Sequence, residues 1–358
     1  MNSSCQVCGE CHPLMAKFLG VCPECARTEA GAQKTQKAHI EARRMFGLPK
    51  WPPRTERGVT CKLCVSQCQI GEGEQGYCGL RKVQNGTIHH LAGTPNKGVL
   101  HWSRDVLPTN CVADWVCSGS QKYGHHNLAV FYASCTLDCL FCQNWHFRNV
   151  DPERSKGIAA RELADHANRQ SFCVCFFGGD PASQLPHALA TAKYLAEKGV
   201  VVCWETAGTA NSRLMDRALR YSLQTGGCVK FDLKAYTDSL HRTLTGRSNY
   251  LTLANFEYAG EKSRQRQNPP LLIASTLMVP GYVDAEEIRR IAKFIAGINR
   301  DIPYSLLAFS PQFLMNDLPT TSVEHAKAAY QAACDEGLTN VHLGNRHLLG
   351  LAYGDYGE

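Results

Sequence analysis

The chain from residue 126 onward alternates between short apolar runs and amphipathic stretches, and this alternation limits the folds open to it. Two of the intervening stretches, 285–298 and 322–337, place apolar residues at three- and four-residue steps, which predicts helices. Strands that are apolar along their whole length suit a parallel sheet covered on both faces. The pattern predicts an α/β fold, either a β/α barrel or a doubly wound sheet. The expected strands are residues 128–133, 172–177, 200–205, 228–233, 271–278, 304–309 and 340–343.

The first 125 residues are organised differently, since they are rich in Gly, Pro and Cys and show little periodicity. We divide this region into a small cysteine knot at 1–30, a helix or linker at 31–60, and a second cysteine-rich segment with loops at 61–125. Residues 126–358 then form the β/α domain. No apolar run reaches the roughly 18 residues of a membrane span, and the polar first residues do not resemble a secretory signal. We therefore expect a cytoplasmic protein.

Polar and glycine residues follow four neighbouring predicted strands at the point where each strand ends. Three cysteines follow the first strand, residues 178–181 follow the second, 205–209 end the third and 232–234 end the fourth. In both candidate architectures the carboxyl ends of the strands meet at one edge and carry the chemistry. We therefore expect these four segments to converge on one site.

The chain contains 19 cysteines, which in a reducing compartment indicate metal sites and not disulfides. Most of them fall into groups whose members are close in sequence. Five others are scattered through apolar segments, where a free cysteine is commonly a buried and inert residue. These five are Cys173, Cys175, Cys203, Cys228 and Cys334.

One cysteine group has only three members, in the spacing C-x3-C-x2-C: Cys135, Cys139 and Cys142. Three thiolates can hold three irons of a four-iron cluster and leave the fourth iron open to a small ligand. An open metal position is typical of a catalytic site. The alternative is a structural zinc site that a distant ligand such as His146 completes.

This cysteine spacing, with Phe141 before the third cysteine, resembles the signature of the radical S-adenosylmethionine (SAM) superfamily. The resemblance implies a partial (β/α)6-type barrel over about 128–345 and a [4Fe-4S] cluster whose vacant iron binds the methionine end of SAM. An electron from the cluster then cleaves SAM to a 5′-deoxyadenosyl radical that abstracts hydrogen from a substrate. It also implies an oxygen-poor setting and an electron donor such as flavodoxin or ferredoxin.

Later motifs extend the resemblance to the branch of pyruvate formate-lyase activating enzyme. Gly178 and Gly179, with Asp180 in place of the usual Glu, resemble a segment whose backbone binds the methionine amino group. Residues 232–246 resemble the D-x-K…TG segment of the activases. The remaining cofactor residues implied by the resemblance are Glu205, Thr206, Asp232, Lys234 and Met278, of which Lys234 suits the SAM carboxylate.

A second group has four cysteines within 18 positions, which can close a tetrahedral zinc site or hold an additional cluster. The segment resembles the N-terminal part of radical SAM enzymes of the AmmeMemoRadiSam type. The residues that carry this resemblance are Cys61, Leu63, Cys64, Cys68, Ile70, Gly76, Cys78, Gly79 and Arg81. Iron–sulfur and zinc remain equal alternatives here.

The front group has two C-x2-C pairs in zinc-ribbon spacing: Cys5 with Cys8, and Cys22 with Cys25. A unit this small needs its metal to fold. It is either a docking module for a protein or RNA partner or simply a stabilising knot. Four further residues before the first strand are either extra ligands near the substrate or parts of an exposed loop: Cys111, Cys117, His125 and His126.

Three functions are compatible with these features. The first is an activase-like radical SAM enzyme that acts on a protein or peptide. The second is a radical SAM enzyme for RNA or a small metabolite, with the front knot as docking element; the net charge of +6 permits a nucleic-acid partner but does not require one. The third is a zinc-rich scaffold without enzymatic activity, which would contain zinc and no iron.

Overall fold

A computed structural model of the protein describes residues 4–109 and 111–353. Its strands are β1 Val59–Thr60, β2 Gln69–Ile70, β3 Arg81–Gln84, β4 Thr87–His90, β5 Leu100–Val106, β6 His126–Tyr132, β7 Ser171–Phe177, β8 Val201–Thr206, β9 Val229–Asp232, β10 Leu272–Met278, β11 Tyr304–Ala308 and β12 Val341–Gly344. Its α-helices are α1 Pro23–Ala26, α2 Glu29–Lys34, α3 Gln36–Arg44, α4 Ala160–Asp165, α5 Leu185–Glu197, α6 Ser212–Thr225, α7 Asp238–Thr245, α8 Tyr250–Ser263, α9 Ala285–Ile298 and α10 Val323–Asp335. Short 3-10 helices lie at Trp145–Asn149, Pro181–Gln184, Phe313–Met315 and Arg346–Leu348.

An eight-stranded sheet forms the centre of the molecule, with its strands in the spatial order β12 to β5. Strands β6 to β12 are parallel and adjacent in sequence order, and each crossover between them contains at least one helix. Since β5 and β12 remain the two edges, the sheet is an open, partial barrel. The predicted α/β barrel architecture is therefore confirmed.

The crossover helices form because their apolar residues repeat at helical spacing and their ends carry capping residues. In α9 the residues Ile288, Ile291 and Ile295 are buried on one face. The Asp284 side chain accepts a hydrogen bond from the Glu287 backbone N–H at the start of this helix, which satisfies one otherwise unpaired donor. No helix in the described part of the chain is long and apolar enough to cross a membrane.

Strand β5 was not predicted, and it pairs antiparallel with β6 at the edge of the sheet. After β5 the chain turns into the partial barrel, and we call residues 107–109 and 111–122 the plug segment. Ser305 Oγ of β11 donates to the Val112 carbonyl at 2.7 Å, and the Trp115 ring stacks on His342 of β12 at 4.9 Å. The plug segment thus fills the inside of the partial barrel.

The N-terminal knot packs against the loop that follows β10. Tyr282 Oη accepts a hydrogen bond from the Ala16 N–H at 3.1 Å and donates to the Val21 carbonyl at 2.8 Å. Arg27 forms an ion pair with Asp284 at 2.8 Å. The knot is therefore held on the barrel by both polar and apolar contacts.

Asp138 lies inside the loop of the three cysteines and is completely buried. Its carboxylate pairs with Arg148 and with His39 Nδ1 at 2.9 Å, and it lies 3.7 Å from Arg43. Burial alone would raise the pKa of Asp138, but the hydrogen bond from His39 and the charges of Arg148 and Arg43 hold it below the ordinary value. Because His39 and Arg43 belong to α3, this helix holds the three-cysteine loop in place.

We predict that Asp138→Asn lowers the free energy of unfolding by about 3–5 kcal/mol, because it leaves the buried Arg148 and Arg43 without their counter-charge. Chemical denaturation followed by circular dichroism measures this change. The matched control is Asp165→Asn, which removes an exposed carboxylate paired with Lys198 and is expected to leave the midpoint nearly unchanged. A loss below about 1 kcal/mol at Asp138 would contradict the role assigned to it.

Candidate radical and metal centres

All seven parallel strands contribute residues to one cleft at their carboxyl ends. The convergence expected from the sequence is therefore present in the structure. Of the predicted residues, the following line the cleft: Cys135, Cys139, Phe141, Cys142, Gly178, Gly179, Asp180, Glu205, Thr206, Asp232 and Lys234.

The three-cysteine loop follows β6 and is fixed by its own backbone. The N–H groups of Asp138 and Leu140 donate to the carbonyls of Thr245 and Leu244 in α7. Among the described residues, only the N-terminal group brings three or more ligand atoms within 4.8 Å of one another. The three thiols are thus spaced more widely than the roughly 3.8 Å that tetrahedral zinc with 2.3 Å bonds requires. His146, considered as a zinc ligand, is exposed and stacks on Trp145 at 3.9 Å.

Two buried cations face the three thiols. Burial raises the pKa of Cys139 to about 12, while the charge of Lys234 acts in the opposite direction. Burial likewise raises the pKa of Cys142, and Arg148 and Lys234 oppose that rise. This environment disfavours free thiolates but compensates the negative charge of thiolates once a metal binds them.

Asp232 and Lys234 form an ion pair at the end of β9. Burial alone would lower the pKa of Lys234, yet Asp232 and Cys139 hold it above its ordinary value, so the ammonium stays charged. The second carboxylate oxygen, Asp232 Oδ1, is buried and has no hydrogen-bond partner among the described residues. A donor from water or from a bound molecule would satisfy this acceptor.

Gly178 and Gly179 form a shelf at the end of β7. Both have positive φ, +66° and +44°. A Cβ on Gly178 would lie 2.0 Å from the Phe131 ring, and one on Gly179 would lie 2.2 Å from the Ser134 carbonyl oxygen. Only glycine fits at these positions, and it leaves the backbone open to a ligand in the cleft.

The Asp180 carboxylate connects the ends of two strands. Oδ1 accepts from the Ala182 N–H at 2.7 Å and from Thr206 Oγ1 at 2.8 Å, and Oδ2 accepts from the Ala207 N–H at 2.9 Å. Burial raises the pKa of Asp180 although these hydrogen bonds oppose the rise. Both oxygens are therefore committed to positioning the rim of the cleft.

Met278 is the one predicted cofactor residue that the structure does not bring to the cleft. Its side chain is fully buried in the core, and its neighbour Leu277 lines the cleft instead. The reason is the alternation of side chains along a strand, which points successive residues to opposite faces.

Sequence reasoning missed Arg148, Asp114 and His342 as cleft residues. Arg148 lies six positions after Cys142 in a 3-10 helix, where no periodic signal marks it. Asp114 belongs to the plug segment. His342 lies on β12, the seventh parallel strand. The only sequence signal that could have placed it in the cleft was the predicted position of that strand.

The N-terminal thiols of Cys5, Cys8, Cys22 and Cys25 all lie within 4.8 Å of one another, and the Cys8 and Cys22 sulfurs are 3.9 Å apart. This geometry matches the approach of four sulfurs to a single metal ion. The group can therefore bind a metal, as its spacing predicted.

The second cysteine group encloses a small cavity next to the cleft: Cys61, Cys64, Cys68 and Cys78 all line it. Ser134 Oγ donates to the Cys78 carbonyl at 2.8 Å, so this group is joined to the residue that precedes Cys135. Arg81 is buried beside it, donates to Cys78 Sγ at 3.4 Å, and leaves Nε and Nη2 without partners among the residues described. These four sulfurs do not meet the 4.8 Å spacing of the N-terminal group.

Comparison with known proteins gives the family. A family model described as the radical SAM superfamily matches residues 129–295. A glycyl-radical enzyme activating enzyme, so named in Methanocaldococcus jannaschii, is 33% identical over 211 residues, which cover 58% of this chain and 78% of that protein.

Two further relatives extend this result. An uncharacterised protein of the same organism is 24% identical over 306 residues, covering 80% of this chain and 81% of the relative. Pyruvate formate-lyase 1-activating enzyme of Escherichia coli K12 is 23% identical over 175 residues, covering 46% of this chain and 66% of that enzyme. The chain belongs to the radical SAM superfamily and is an enzyme related to the glycyl-radical enzyme activating enzymes.

Proposed function

We propose that this radical SAM enzyme abstracts hydrogen from a protein or peptide substrate. The observation that carries the assignment of the cleft is Asp232 Oδ1, a buried acceptor without a donor, next to three thiols and an open glycine shelf. Two relatives of this chain are named as activating enzymes, and this relationship supports a macromolecular substrate.

The residues of the cleft fit the cofactors that the family uses. Cys135, Cys139 and Cys142 would hold three irons of a [4Fe-4S] cluster, since their wide spacing suits a polynuclear centre. Bound together, the cluster and SAM supply a one-electron cleavage that generates a 5′-deoxyadenosyl radical. The electron would come from a donor such as flavodoxin or ferredoxin.

Different polar groups around the thiols recognise different parts of SAM. Asp232 Oδ1 accepts a hydrogen bond from the amino group of SAM, and the backbone of Gly178 and Gly179 approaches the same group. Lys234 pairs with the SAM carboxylate while Asp232 keeps the ammonium charged and in place. Phe141, whose ring lies 5.6 Å from Lys234 Nζ, limits the water around this pair.

The other two cysteine groups are assigned by their spacing. The close approach of the four N-terminal sulfurs suits one zinc ion in a structural site. The second group has wider spacing than the N-terminal group, which favours an iron–sulfur cluster over one zinc ion, and the buried Arg81 supplies positive charge beside the anionic centre. We assign an auxiliary cluster to Cys61, Cys64, Cys68 and Cys78.

The open side of the partial barrel supports a large substrate. The cleft itself holds about 670 Å³, within the roughly 300–1,000 Å³ of pockets that hold a small ligand, so it suits SAM and a substrate segment has to enter from outside. Because β5 and β12 do not pair, the barrel is open along one side. A peptide segment can therefore reach the cleft from that side.

The substrate class can be tested by isotope transfer. Fractions of protein, RNA and small metabolites from cells grown in deuterated medium are incubated anaerobically with the enzyme, unlabelled SAM and a reductant. We expect deuterium in 5′-deoxyadenosine only with the protein fraction, because the radical takes its hydrogen from the substrate. Mass spectrometry of 5′-deoxyadenosine reads the result, and transfer from RNA or metabolites alone would refute the proposal.

A second prediction concerns the cofactor contact of Lys234. We expect Lys234→Met to raise the Kd of SAM about 10- to 100-fold, which corresponds to the loss of roughly 1.5–3 kcal/mol from one charged hydrogen bond. Equilibrium binding to the reconstituted enzyme measures this change.

The matched control is Lys198→Met, which removes the Lys of an ion pair that is exposed and remote from the cleft. Its SAM affinity should equal that of the unsubstituted enzyme. An unchanged Kd in Lys234→Met, with the cluster present at full occupancy, would show that Lys234 does not contact SAM.

A further inference from the structure

A second cavity lies inside the partial barrel, between the plug segment and the sheet, and six thiols line it. The cavity has a volume of about 70 Å³. Four of the thiols had been expected to be inert core residues on the basis of sequence alone, and two had been assigned to loops or extra ligands. The six are Cys111, Cys117, Cys173, Cys175, Cys203 and Cys228.

The parallel register brings the strand thiols together. Cys175 of β7 pairs directly with Cys203 of β8, and opposite residues of neighbouring strands point to the same face. Cys173 shares the face of Cys175 because it lies two positions earlier, and Cys228 Sγ lies 3.9 Å from Cys203 Sγ. The plug segment supplies Cys111 and Cys117 from the opposite wall.

Lys230 of β9 is fully buried among these thiols. Its ammonium lies 3.0 Å from Cys111 Sγ, 3.1 Å from Cys175 Sγ and 3.3 Å from a carboxylate oxygen of Glu205. A buried lysine costs free energy unless negative charge surrounds it. One partly exposed carboxylate is present, and two uncharged thiols occupy the other contact positions.

We propose that this cavity binds an iron–sulfur cluster, with Cys111 and Cys117 of the plug segment and Cys175 and Cys203 of the sheet as its ligands. Four thiolates and their cluster form an anion, so the thiols that contact Lys230 would add negative charge to that of Glu205. No three of these thiols lie within 4.8 Å of one another, in contrast to the N-terminal group, so their spacing suits several irons and not one zinc ion.

Lys230 connects the two walls of the cavity. Its ammonium contacts the Cys111 sulfur of the plug segment and the Cys175 sulfur of β7, so ligands from both walls lie on either side of one cation.

The cavity adjoins the SAM cleft, because Cys111, Asp114 and Glu205 line both. A cluster here would lie below the cleft, on the inner side of the sheet, and would be separate from the centres at Cys139 and Cys64. This inference does not depend on the proposed substrate, since it concerns metal content alone.

The test is the double variant Cys111→Ala/Cys117→Ala in the full chain, reconstituted without oxygen. We expect the variant to contain about two to four fewer irons per chain, with a matching loss of acid-labile sulfide, and to lose one component of the Mössbauer spectrum. Cys334→Ala, which removes a cysteine outside the cavity, should keep the full amount. Unchanged iron, or a loss of zinc in place of iron, would overturn the proposal.

A misfolded chain would lose every metal, so the variant must keep its N-terminal metal ion and its thermal unfolding transition. If the plug-segment variant fails either check, the double variant Cys175→Ala/Cys203→Ala removes the two proposed ligands on the sheet instead. It should lose the same spectral component. Lys230→Met provides an independent readout. It should lower the reduction potential of that component, because an added electron is less stable without the buried positive charge, and an unchanged potential would contradict the placement.

Discussion

The buried carboxylate of Asp138 is the constraint on which the arrangement of this enzyme depends. It lies between Cys135 and Cys139 and is paired with side chains from α3 and from the helix after Cys142. The Asp138 carboxylate therefore links the N-terminal region, the three-cysteine loop and the barrel. In the low-dielectric interior, removal of any one partner would leave a buried charge uncompensated. The ion pairs therefore hold the loop in place.

Positive charge is the common feature of the cysteine sites that we assign to clusters. Lys234 and Arg148 face the three thiols of the cleft, Arg81 faces the second group, and Lys230 lies inside the barrel. A thiolate-bound cluster is an anion, and a buried cation lowers the cost of placing it in a protein interior. The N-terminal knot, with closely spaced sulfurs, instead suits a single divalent ion.

The sequence was sufficient to predict the parallel strands within about two residues, since fully buried strands are apolar throughout. It also predicted most of the cleft, because strand ends converge by topology. It did not predict β5, whose exposed His101 and Arg104 interrupt any apolar pattern. Nor did it connect Cys175 with Cys203 and Cys111, because 28 and 64 residues of chain separate them and only the sheet register and the plug segment bring them together.

The central claim is that one iron of a cluster held by Cys135, Cys139 and Cys142 is open to SAM. Electron paramagnetic resonance of the reduced, oxygen-free enzyme tests it most directly, with Cys139→Ala as the comparison. The account predicts that adding SAM changes the signal of the reduced cluster in the unsubstituted enzyme, and that this response is absent from Cys139→Ala. A signal that is the same with and without SAM in the fully reconstituted enzyme would contradict the account.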